Sequence, residues 1–213
     1  MINLTDKITQ YIQDLSTPED PILRELARET HVKALYPQML SGHIQGKFLE
    51  FISCMLQPEY ILEIGTFTGY SAICLAKGLR NTGRLITIEK NDELADFPVR
   101  YFKRAGITEK VELITGDALE IIPSLDYAFD LVFIDAEKKD YPSYFNQVIN
   151  KVKPGGFIIA DNVLWHGKVL DDPETFDKET RGIVAFNELI KEDENVENII
   201  LPIRDGIMLI RKL

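Results

Sequence analysis

The sequence predicts an α/β fold: a doubly wound, mostly parallel sheet of seven strands, with an antiparallel last strand and N-terminal helices. Short apolar runs of strand length recur from residue 60 onward, and segments with helical spacing separate them. Residues 1–58 show helical spacing alone. A length of 213 residues is typical of one domain, so we predict a single domain over 1–213 that includes a helical cap over 1–58.

Two helices are predicted in the cap. The first begins at Asp20-Pro21, because an acidic N-cap followed by proline is a common helix start. The second extends from Gln45 to Leu56. Each has an apolar face at helical spacing, formed by Leu23, Leu26 and Ala27 in the first helix and by Phe48, Leu49, Ile52 and Met55 in the second.

From Tyr60 onward, strands and helices alternate. Apolar runs predict five strands, at 61–64, 85–88, 111–114, 131–134 and 157–160. Helices are predicted at 70–79, 98–105 and 144–152, the last of them stopped by Pro154-Gly155-Gly156. A further helix at 178–191 precedes two strands at 198–201 and 207–210. Asp205-Gly206 between these strands favours a tight reversal, so the pair is predicted to be antiparallel.

Composition excludes several classes of protein. A formal net charge of -10 disfavours general nucleic-acid binding, because an acidic surface repels phosphates. No apolar run approaches the roughly 20 residues that span a bilayer, and the N-terminus resembles no signal peptide. We therefore expect a cytoplasmic protein without membrane contact. Cys54 and Cys74 both lie in apolar helical stretches, and we predict two buried thiols.

Acidic residues, with one glycine and one asparagine, stand at or just after the ends of the predicted strands. Ligands of doubly wound sheets bind beyond the carboxyl ends of the strands. A sheet needs no carboxylates there for its stability. We therefore predict the functional site at this edge, among Glu63, Gly65, Glu89, Asp117, Asp135, Asp161 and Asn162.

The turn after the first predicted strand is rich in glycine and precedes a helix. Its sequence, Gly65-Thr66-Phe67-Thr68-Gly69, permits a tight turn and a close ligand approach, but lacks the spacing of a pyrophosphate loop. Glu89, at the end of the second strand, is placed to accept hydrogen bonds from both hydroxyls of a ribose. Glu63 lies immediately upstream of the turn and disfavours phosphates. A ligand with a ribose and a zwitterionic tail, such as S-adenosylmethionine, fits this pattern best.

Four blocks of the chain resemble the cation-dependent O-methyltransferases, in the same order and spacing. The blocks are Leu62-Glu63-Ile64-Gly65-Thr66-Phe67-Thr68-Gly69-Tyr70-Ser71, then Glu89, then Phe133-Ile134-Asp135-Ala136-Glu137-Lys138, and finally Asp161-Asn162-Val163-Leu164-Trp165-His166-Gly167. This family uses S-adenosylmethionine and includes caffeoyl-CoA and catechol O-methyltransferases together with bacterial relatives. The resemblance covers about residues 36–213, and the paired blocks around Asp135 and Asp161 are its most specific part.

The resemblance implies a role for each matching position. Glu63, Gly65 and Ser71 would lie near the methionine part of the cofactor, Glu89 at its ribose, and Asp117 and Ala118 beside its adenine. Met39 and Ser41 would close over it. The complete set implied for the cofactor is Met39, Ser41, Glu63, Gly65, Phe67, Ser71, Glu89, Asp117, Ala118 and Asp135.

The resemblance also implies a divalent metal bound by Asp135, Asp161 and Asn162, with Lys138 and Asp135 as catalytic residues. Two carboxylates and an amide are hard ligands, which suit Mg²⁺ and also Mn²⁺ or Ca²⁺. An aromatic hydroxyl has a pKa near 10 by analogy with tyrosine, and a bound cation lowers it. Lys138 follows Asp135 by one helical turn. Close to a metal its pKa is expected to fall, which would make it a general base.

The methyl acceptor stays open at this stage. A catechol-like small molecule with two adjacent oxygens fits a metal best, and a hydroxylated uridine in tRNA is the alternative. An NAD-dependent dehydrogenase and a non-catalytic binding module are rival functions, but neither explains Asp135, Asp161 and Asn162 together. Arg181 resembles the caffeoyl-CoA branch, whereas the late glutamate of catechol O-methyltransferase has no clear counterpart.

Two further expectations concern surfaces. The loop over 163–177 has the length of a functional lid, with Trp165 and His166 as candidate substrate contacts, whereas His31 and His43 are predicted to be structural. We also expect a homodimer, by resemblance and because the cap is rich in apolar residues, among them Leu23, Leu26 and Leu35.

Overall fold

The structure is a computed structural model that describes residues 6–213. The first five residues, which contributed to the expectation about a signal peptide, lie outside that range. Seven strands form one sheet. In chain order they are β1 Tyr60–Ile64, β2 Arg84–Glu89, β3 Val111–Thr115, β4 Phe129–Ile134, β5 Val152–Asp161, β6 Val196–Leu201 and β7 Ile207–Lys212.

The helices lie before, between and after these strands. Three precede the sheet, namely α1 Asp6–Leu15, α2 Pro21–Lys33 and α3 Gly42–Leu56. The others are α4 Tyr70–Ala76, α5 Asp96–Arg104, α6 Ala118–Ile121, α7 Tyr141–Val148 and α8 Lys178–Glu192. The side chain of Asp20 accepts a hydrogen bond from Ile22 N at the start of α2, as the Asp20-Pro21 signal predicts.

The strand order is β3-β2-β1-β4-β5-β7-β6. All neighbouring pairs are parallel except those of β7, which is antiparallel to both β5 and β6. The order reverses between β1 and β4, where a doubly wound sheet leaves a crevice at its carboxyl edge. The predicted fold class and the antiparallel final pair are therefore confirmed, and the crevice lies between Gly65 and Asp135.

Strand residues alternate between two cores, one on each face of the sheet. Leu62 and Ile64 of β1 pack with α7 and α8 side chains such as Phe145 and Phe186. Ile61, on the other face, packs with side chains of α2, α3 and α4. This alternation is the pleat of a strand buried on both sides. The helical cap therefore contributes one of the two covering layers of the sheet.

Gly65 allows β1 and β4 to end close together. Its φ is +100°, and a Cβ at this position would lie 2.0 Å from the backbone oxygen of Asp135. Any side chain here would force the two strand ends apart. The glycine therefore brings the turn after β1 against the residue that begins the β4 loop.

The face that α3 buries agrees with the prediction at Phe48, Leu49 and Ile52, which pack against the core, and differs at Met55. Met55 is 71% exposed and Cys54 is exposed, while Gln45, Gly46, Leu49 and Ser53 are the buried residues of the helix. The helix packs closely on α4, where a Cβ on Gly46 would lie 2.5 Å from the Tyr70 ring. Small and polar residues permit this approach, so the buried face is centred on Gly46 and Leu49, and Met55 lies outside it. The prediction of two buried thiols is correct for Cys74 and wrong for Cys54.

Two boundaries also differ from the sequence prediction. The helix predicted at 70–79 ends at Ala76. The helix predicted at 144–152 is α7, which ends at Val148 and passes through a single 3₁₀ turn at Ile149–Lys151 into β5. Pro154-Gly155-Gly156 therefore lies inside β5, where the register with β4 shifts, and does not stop the helix. Within residues 6–213, every helix is too short or too polar to cross a membrane.

Candidate active site

Two neighbouring cavities open at the carboxyl edge of the sheet. The β1 cavity, of about 640 Å³, lies over the ends of β1 and β2 and is lined by Gly65 and Glu89. The β5 cavity, of about 660 Å³, lies over the ends of β4 and β5 and is lined by Asp161 and Asn162. Both cavities share a wall, formed by Met39, Asp135, Ala136 and Glu137. A molecule in one cavity therefore lies next to a molecule in the other.

Most of the residues predicted for the cofactor surround the β1 cavity. Ser41 and Ser71 line a small recess that Gly65 and Asp135 also border. The residues of the predicted set that line the β1 cavity itself are Met39, Gly65, Phe67, Glu89, Ala118 and Asp135.

Glu89 is fixed by two backbone donors. Phe67 N donates to its Oε2 at 2.7 Å, and Asn91 N donates to its Oε1 at 2.9 Å. Each carboxylate oxygen keeps a further lone pair for a ligand hydroxyl. The Phe67 donor comes from the glycine turn, at a residue with φ +48°. The turn after β1 and the acid at the end of β2 are thus one hydrogen-bonded unit.

Glu63, which directly precedes the cavity-lining residues Ile64 and Gly65, is completely buried and itself lines neither cavity. Its Oε2 accepts from Thr87 Oγ1 at 2.5 Å, and Oε1 has no hydrogen-bond partner within residues 6–213. Burial raises the pKa of Glu63 to about 8, against the smaller opposing effects of the Ser71 and Thr87 hydroxyls. This carboxyl therefore holds a proton at neutral pH when no cationic group is near.

Asp117 stands beside the β1 cavity but does not line it. Its Oδ1 caps α6 by accepting from Leu119 N at 2.9 Å, and Lys90 donates to its Oδ2 at 2.8 Å. Its neighbours Gly116 and Ala118 do line the cavity. The structure thus gives Asp117 a local structural role, and its predicted contact with the adenine stays a prediction.

The β5 cavity brings together the four residues predicted for metal binding and catalysis. Asp135 follows β4, Asp161 ends β5, and Lys138 begins the turn after β4; with Asn162, all four line the cavity. Lys138 Nζ donates to Asp135 Oδ1 at 2.7 Å and lies 5.2 Å from the centre of the Tyr141 ring. The pairing of β4 with β5 that this site requires is confirmed.

Asp161 is held by two donors in a buried position. Gln45 Nε2 donates to Oδ2 at 2.6 Å, and the backbone N of Asn162 donates to Oδ1 at 2.7 Å. Burial, followed by the negative charge of Asp135, raises the pKa of Asp161 to about 6. Burial thus disfavours the charged form of Asp161, and the neighbouring Asp135 carboxylate adds to this effect.

The charge of Lys138 is stabilised in this arrangement. Burial, the largest single influence, would lower the pKa of Lys138, but Asp135 and Tyr141 together outweigh burial and the pKa is raised. A fall in the pKa of Lys138 is expected only when a cation is bound at Asp135. That expectation therefore stays a prediction.

The donor set of the β5 cavity fits a hard divalent cation. Two carboxylates and the amide of Asn162 face one space, and the charge of Asp135 contributes to the raised pKa of Asp161. Within the described chain, no group of three or more His, Cys, Asp and Glu side chains is arranged to hold a metal. The candidate site therefore depends on the amide of Asn162 as its third protein ligand.

The loop after β5 forms part of the β5 cavity wall through Trp165 and His166. Both have positive φ, at 46° and 55°. The loop is anchored to the β6–β7 turn, because Leu164 N donates to Asp205 O at 3.0 Å and His166 N donates to Asp205 Oδ1 at 2.6 Å. Both predicted substrate contacts thus face the cavity, although their roles stay predictions.

Other candidates lie away from the cavities. Arg181 Nε donates to Phe176 O at 3.0 Å, on the surface and outside both linings. His31 and His43 bond to the backbone oxygens of Ala27 and Thr17, which agrees with structural roles.

Sequence reasoning missed three polar residues around the β5 cavity. Gln45 is a buried side chain of α3, and Arg204 and Asp205 belong to the turn between β6 and β7. Arg204 contacts residues near position 40, more than 150 positions earlier in the chain. No local spacing encodes such a contact, although Asp205-Gly206 marked the turn itself.

The sheet order, the glycine turn and the acid at the end of β2 together define a Rossmann-like methyltransferase fold. The chain belongs to the O-methyltransferase family, whose model, with that description, matches residues 13–213. The expectation of an O-methyltransferase enzyme is therefore confirmed. The rival hypotheses of an NAD-dependent dehydrogenase and of a non-catalytic binding module are wrong.

Relatives and solved structures agree with this assignment. The chain is 37% identical over 200 residues to a catechol O-methyltransferase of Niastella koreensis, covering 92% of this chain and 90% of the relative. It is 31% identical to a caffeoyl-CoA O-methyltransferase of Eucalyptus gunnii, covering 98% and 88%.

Among solved structures, an O-methyltransferase from Bacillus cereus in complex with SAH superposes with a TM-score of 0.92 at 33% identity, covering 100% of both chains. TomG from Streptomyces achromogenes, an O-methyltransferase involved in tomaymycin synthesis and solved in complex with SAM, gives 0.89 at 34% identity, covering 97% of this chain and 96% of its own.

Proposed function

We propose that the protein transfers the methyl group of S-adenosylmethionine to a hydroxyl of a small molecule with two adjacent oxygens, such as a catechol. The β1 cavity would hold the cofactor and the β5 cavity the acceptor. A divalent cation, Mg²⁺ or else Mn²⁺ or Ca²⁺, would be bound by Asp135, Asp161 and Asn162.

The shared wall of the two cavities carries this proposal. Asp135 borders both spaces, so a methyl donor above Gly65 and an acceptor beside Asp161 meet at this residue. Methyl transfer needs an in-line approach of the two reactants, and holding them in adjacent cavities supplies that orientation. Two relatives support the cofactor assignment, since their structures were solved with SAM or SAH.

The residues of the β5 cavity divide the work of activating the acceptor. A cation, when bound, would lower the pKa of the acceptor hydroxyl. Asp161 and Asn162 would fix the position of the acceptor relative to the β1 cavity. Lys138 Nζ is the group placed to receive the hydroxyl proton, once a cation engages the negative charge of Asp135 that now keeps Lys138 protonated.

The lining of the β5 cavity favours a small acceptor over a polyanion. Glu137, Glu179 and Asp205 add carboxylates to it. The cations there are already engaged, because Lys138 pairs with Asp135 and Arg204 bonds to backbone oxygens. This charge pattern supports a catechol over tRNA or an acyl-CoA, and the name of the Niastella koreensis relative supports the same choice.

Acceptor and metal dependence are tested together with labelled S-adenosylmethionine. Catechol, phenol, caffeoyl-CoA and tRNA with hydroxylated uridine are offered to protein stripped with EDTA and then supplied with Mg²⁺ or Mn²⁺. We expect methylation of catechol only after the metal is restored, and none of phenol, which has one hydroxyl. Equal methylation of phenol and catechol by stripped protein would overturn the proposal.

We also propose that the protein is a homodimer. Two of the residues behind that expectation, Leu23 and Leu26, are buried within the chain and give no support, but Leu35 is 83% exposed. Val32, Tyr36 and Met39 are also exposed and extend this apolar surface at the mouth of the β1 cavity. Sedimentation is expected to show a dimer at micromolar concentration, and Leu35→Ser to weaken it. A monomer throughout would refute the dimer.

A further inference from the structure

One segment of the chain covers every cavity of the candidate site. We define this cover segment as residues 34–41, between α2 and α3. Tyr36 lines the β1 cavity, Gln38 the β5 cavity, Ser41 the recess, and Met39 all three. Its backbone hydrogen bonds are local, from Met39 N to Tyr36 O and from Leu40 N to Pro37 O. What holds this segment in place therefore affects both substrates.

Arg204, in the turn between β6 and β7, connects that turn to the cover segment by hydrogen bonds. Its Nη1 donates to the backbone oxygen of Leu40 at 2.9 Å and also to that of Ser41, and Nη2 reaches Gln38 O at 3.4 Å. A guanidinium makes several such bonds at once because its donors form a rigid planar fork.

Two features make an arginine at position 204 energetically unfavourable in itself. Its φ is +50°, a left-handed conformation that costs energy in a residue with a side chain. Its positive charge also lies at the N-terminus of α3, where the helix dipole disfavours cations. An arginine is thus present although the backbone conformation and the helix dipole both disfavour it, which indicates that its side-chain contacts have a function.

Arg204 also determines how Gln45 meets Asp161. Arg204 Nη1 donates to Gln45 Oε1 at 3.0 Å, and Gln45 Nε2 donates to Asp161 Oδ2 at 2.6 Å. A guanidinium has no acceptor, so the oxygen of the amide faces Arg204 and the NH₂ group faces Asp161. Without Arg204, the amide oxygen loses its donor, and the Asp161 carboxylate alone would orient the NH₂ group. One side chain thereby links the cover segment to the proposed metal ligand.

We propose that Arg204 is a positioning residue, which holds the cover segment over both cavities and keeps the amide of Gln45 oriented as a donor to Asp161. The proposal rests on the proposed function for the contents of the cavities, whereas the contacts of Arg204 are independent of it. Arg204 then contributes both to the closure of the cover segment over the cofactor and to the orientation of Asp161.

Hydrogen exchange tests the first half without any ligand. Arg204→Met is expected to raise exchange of the backbone amides over 38–45 by roughly tenfold, the equivalent of a lost charge-assisted bond. Arg204→Lys keeps the charge and is expected to be intermediate. Arg211→Met is the matched control, since Arg211 forms an exposed ion pair with Glu197 on the neighbouring strand. Unchanged exchange in Arg204→Met would overturn this half.

The second half is tested at Gln45. In ¹⁵N spectra the side-chain NH₂ of Gln45 is expected to be protected in the wild type and to lose that protection in Arg204→Met. Titration with MnCl₂ is expected to show a loss of affinity of roughly tenfold in Arg204→Met. In a Gln45→Met background, the same Arg204 change is expected to have no further effect on Mn²⁺ affinity.

These measurements separate this proposal from the proposed function. If the wild type binds no Mn²⁺, the metal proposal fails, and the Gln45 signal still decides the role of Arg204. An Arg204→Met protein with a protected Gln45 amide would overturn the second half. In steady-state assays, Arg204→Met is expected to raise the KM for S-adenosylmethionine more than it lowers kcat, with partial rescue by Arg204→Lys. A uniform loss of active protein would leave KM unchanged and would contradict the proposal.

Discussion

The two cavities are built by different means, although they share a wall. The key carboxylate of the β1 cavity, Glu89, is held by backbone donors of two adjacent turns, and strand ends, turns and the segment before α3 line the rest of the space. The β5 cavity is formed by charged side chains and by contacts between distant segments, such as Gln45 with Asp161. The first holds its carboxylate with backbone donors, whereas the second places two carboxylates close enough for Asp135 to add to the raised pKa of Asp161, an arrangement that favours a bound cation.

The difference predicts which changes stop the reaction and which only weaken binding. Substitutions in the β5 cavity are expected to reduce turnover. Substitutions in the β1 cavity are expected to reduce affinity for the cofactor.

The largest expected effect is that of Asp161→Ala. This change removes a proposed metal ligand, so we expect turnover to fall by about 10³-fold or more, with S-adenosylmethionine affinity nearly unchanged by calorimetry. Asp126→Asn, at an exposed position, serves as the control. A larger loss of cofactor affinity than of turnover would reverse the roles assigned to the two cavities.

Lys138→Met is expected to reduce kcat by about 10²–10⁴-fold, the usual contribution of a general base. Lys138→Arg keeps the charge but cannot take up a proton, so it is expected to be as slow as the Met variant. If Lys138→Arg retains most of the activity, the residue acts through its charge alone. The exposed neighbour Lys139 provides the control, as Lys139→Met.

Glu89→Gln is expected to raise the Kd for S-adenosylmethionine by roughly tenfold or more. One acceptor becomes an NH₂ group that faces a backbone donor, and the charge-assisted bonds to the ribose are lost. At saturating cofactor, kcat is expected to stay close to that of the wild type. Glu112→Gln, exposed on β3, is the matched control, and wild-type affinity in Glu89→Gln would remove the ribose assignment.

The same contrast explains how far the sequence alone leads. The strands, their order of appearance and the acids at their ends follow from local patterns, because apolar runs and turns encode them within about ten residues. Gly65, Glu89 and Asp135 were identified in this way. Gln45 and Arg204 were not, since each acts across the fold. On α3 only Met55 was misjudged, because the helix packs on its neighbour through Gly46 and leaves Met55 exposed.

The smallest expected effect is on stability and concerns Glu63, whose buried carboxyl belongs to β1, next to residues that line the β1 cavity. Its pKa is about 8 in the folded chain, against an ordinary value of 4.5. Between those values the unfolded chain ionises while the folded chain keeps the proton, so a rise in pH reduces stability. Below pH 4.5 both states are protonated and the contribution is complete; above about 8 it is lost. The total is on the order of a few kcal/mol.

Glu63→Gln removes this titration and leaves an uncharged amide in its place. We expect the thermal midpoint of the wild type, measured against that of the variant without ligand, to fall steadily from pH 5 to pH 8. The slope is the decisive quantity, because the substitution also changes hydrogen bonds to Thr87 by an amount that does not depend on pH. Parallel midpoint curves for the two proteins would show that Glu63 is ionised in the folded chain. A second ionised carboxyl would then lie near Glu89, and a repulsive pair of carboxylates would no longer distinguish the β5 cavity from the β1 cavity.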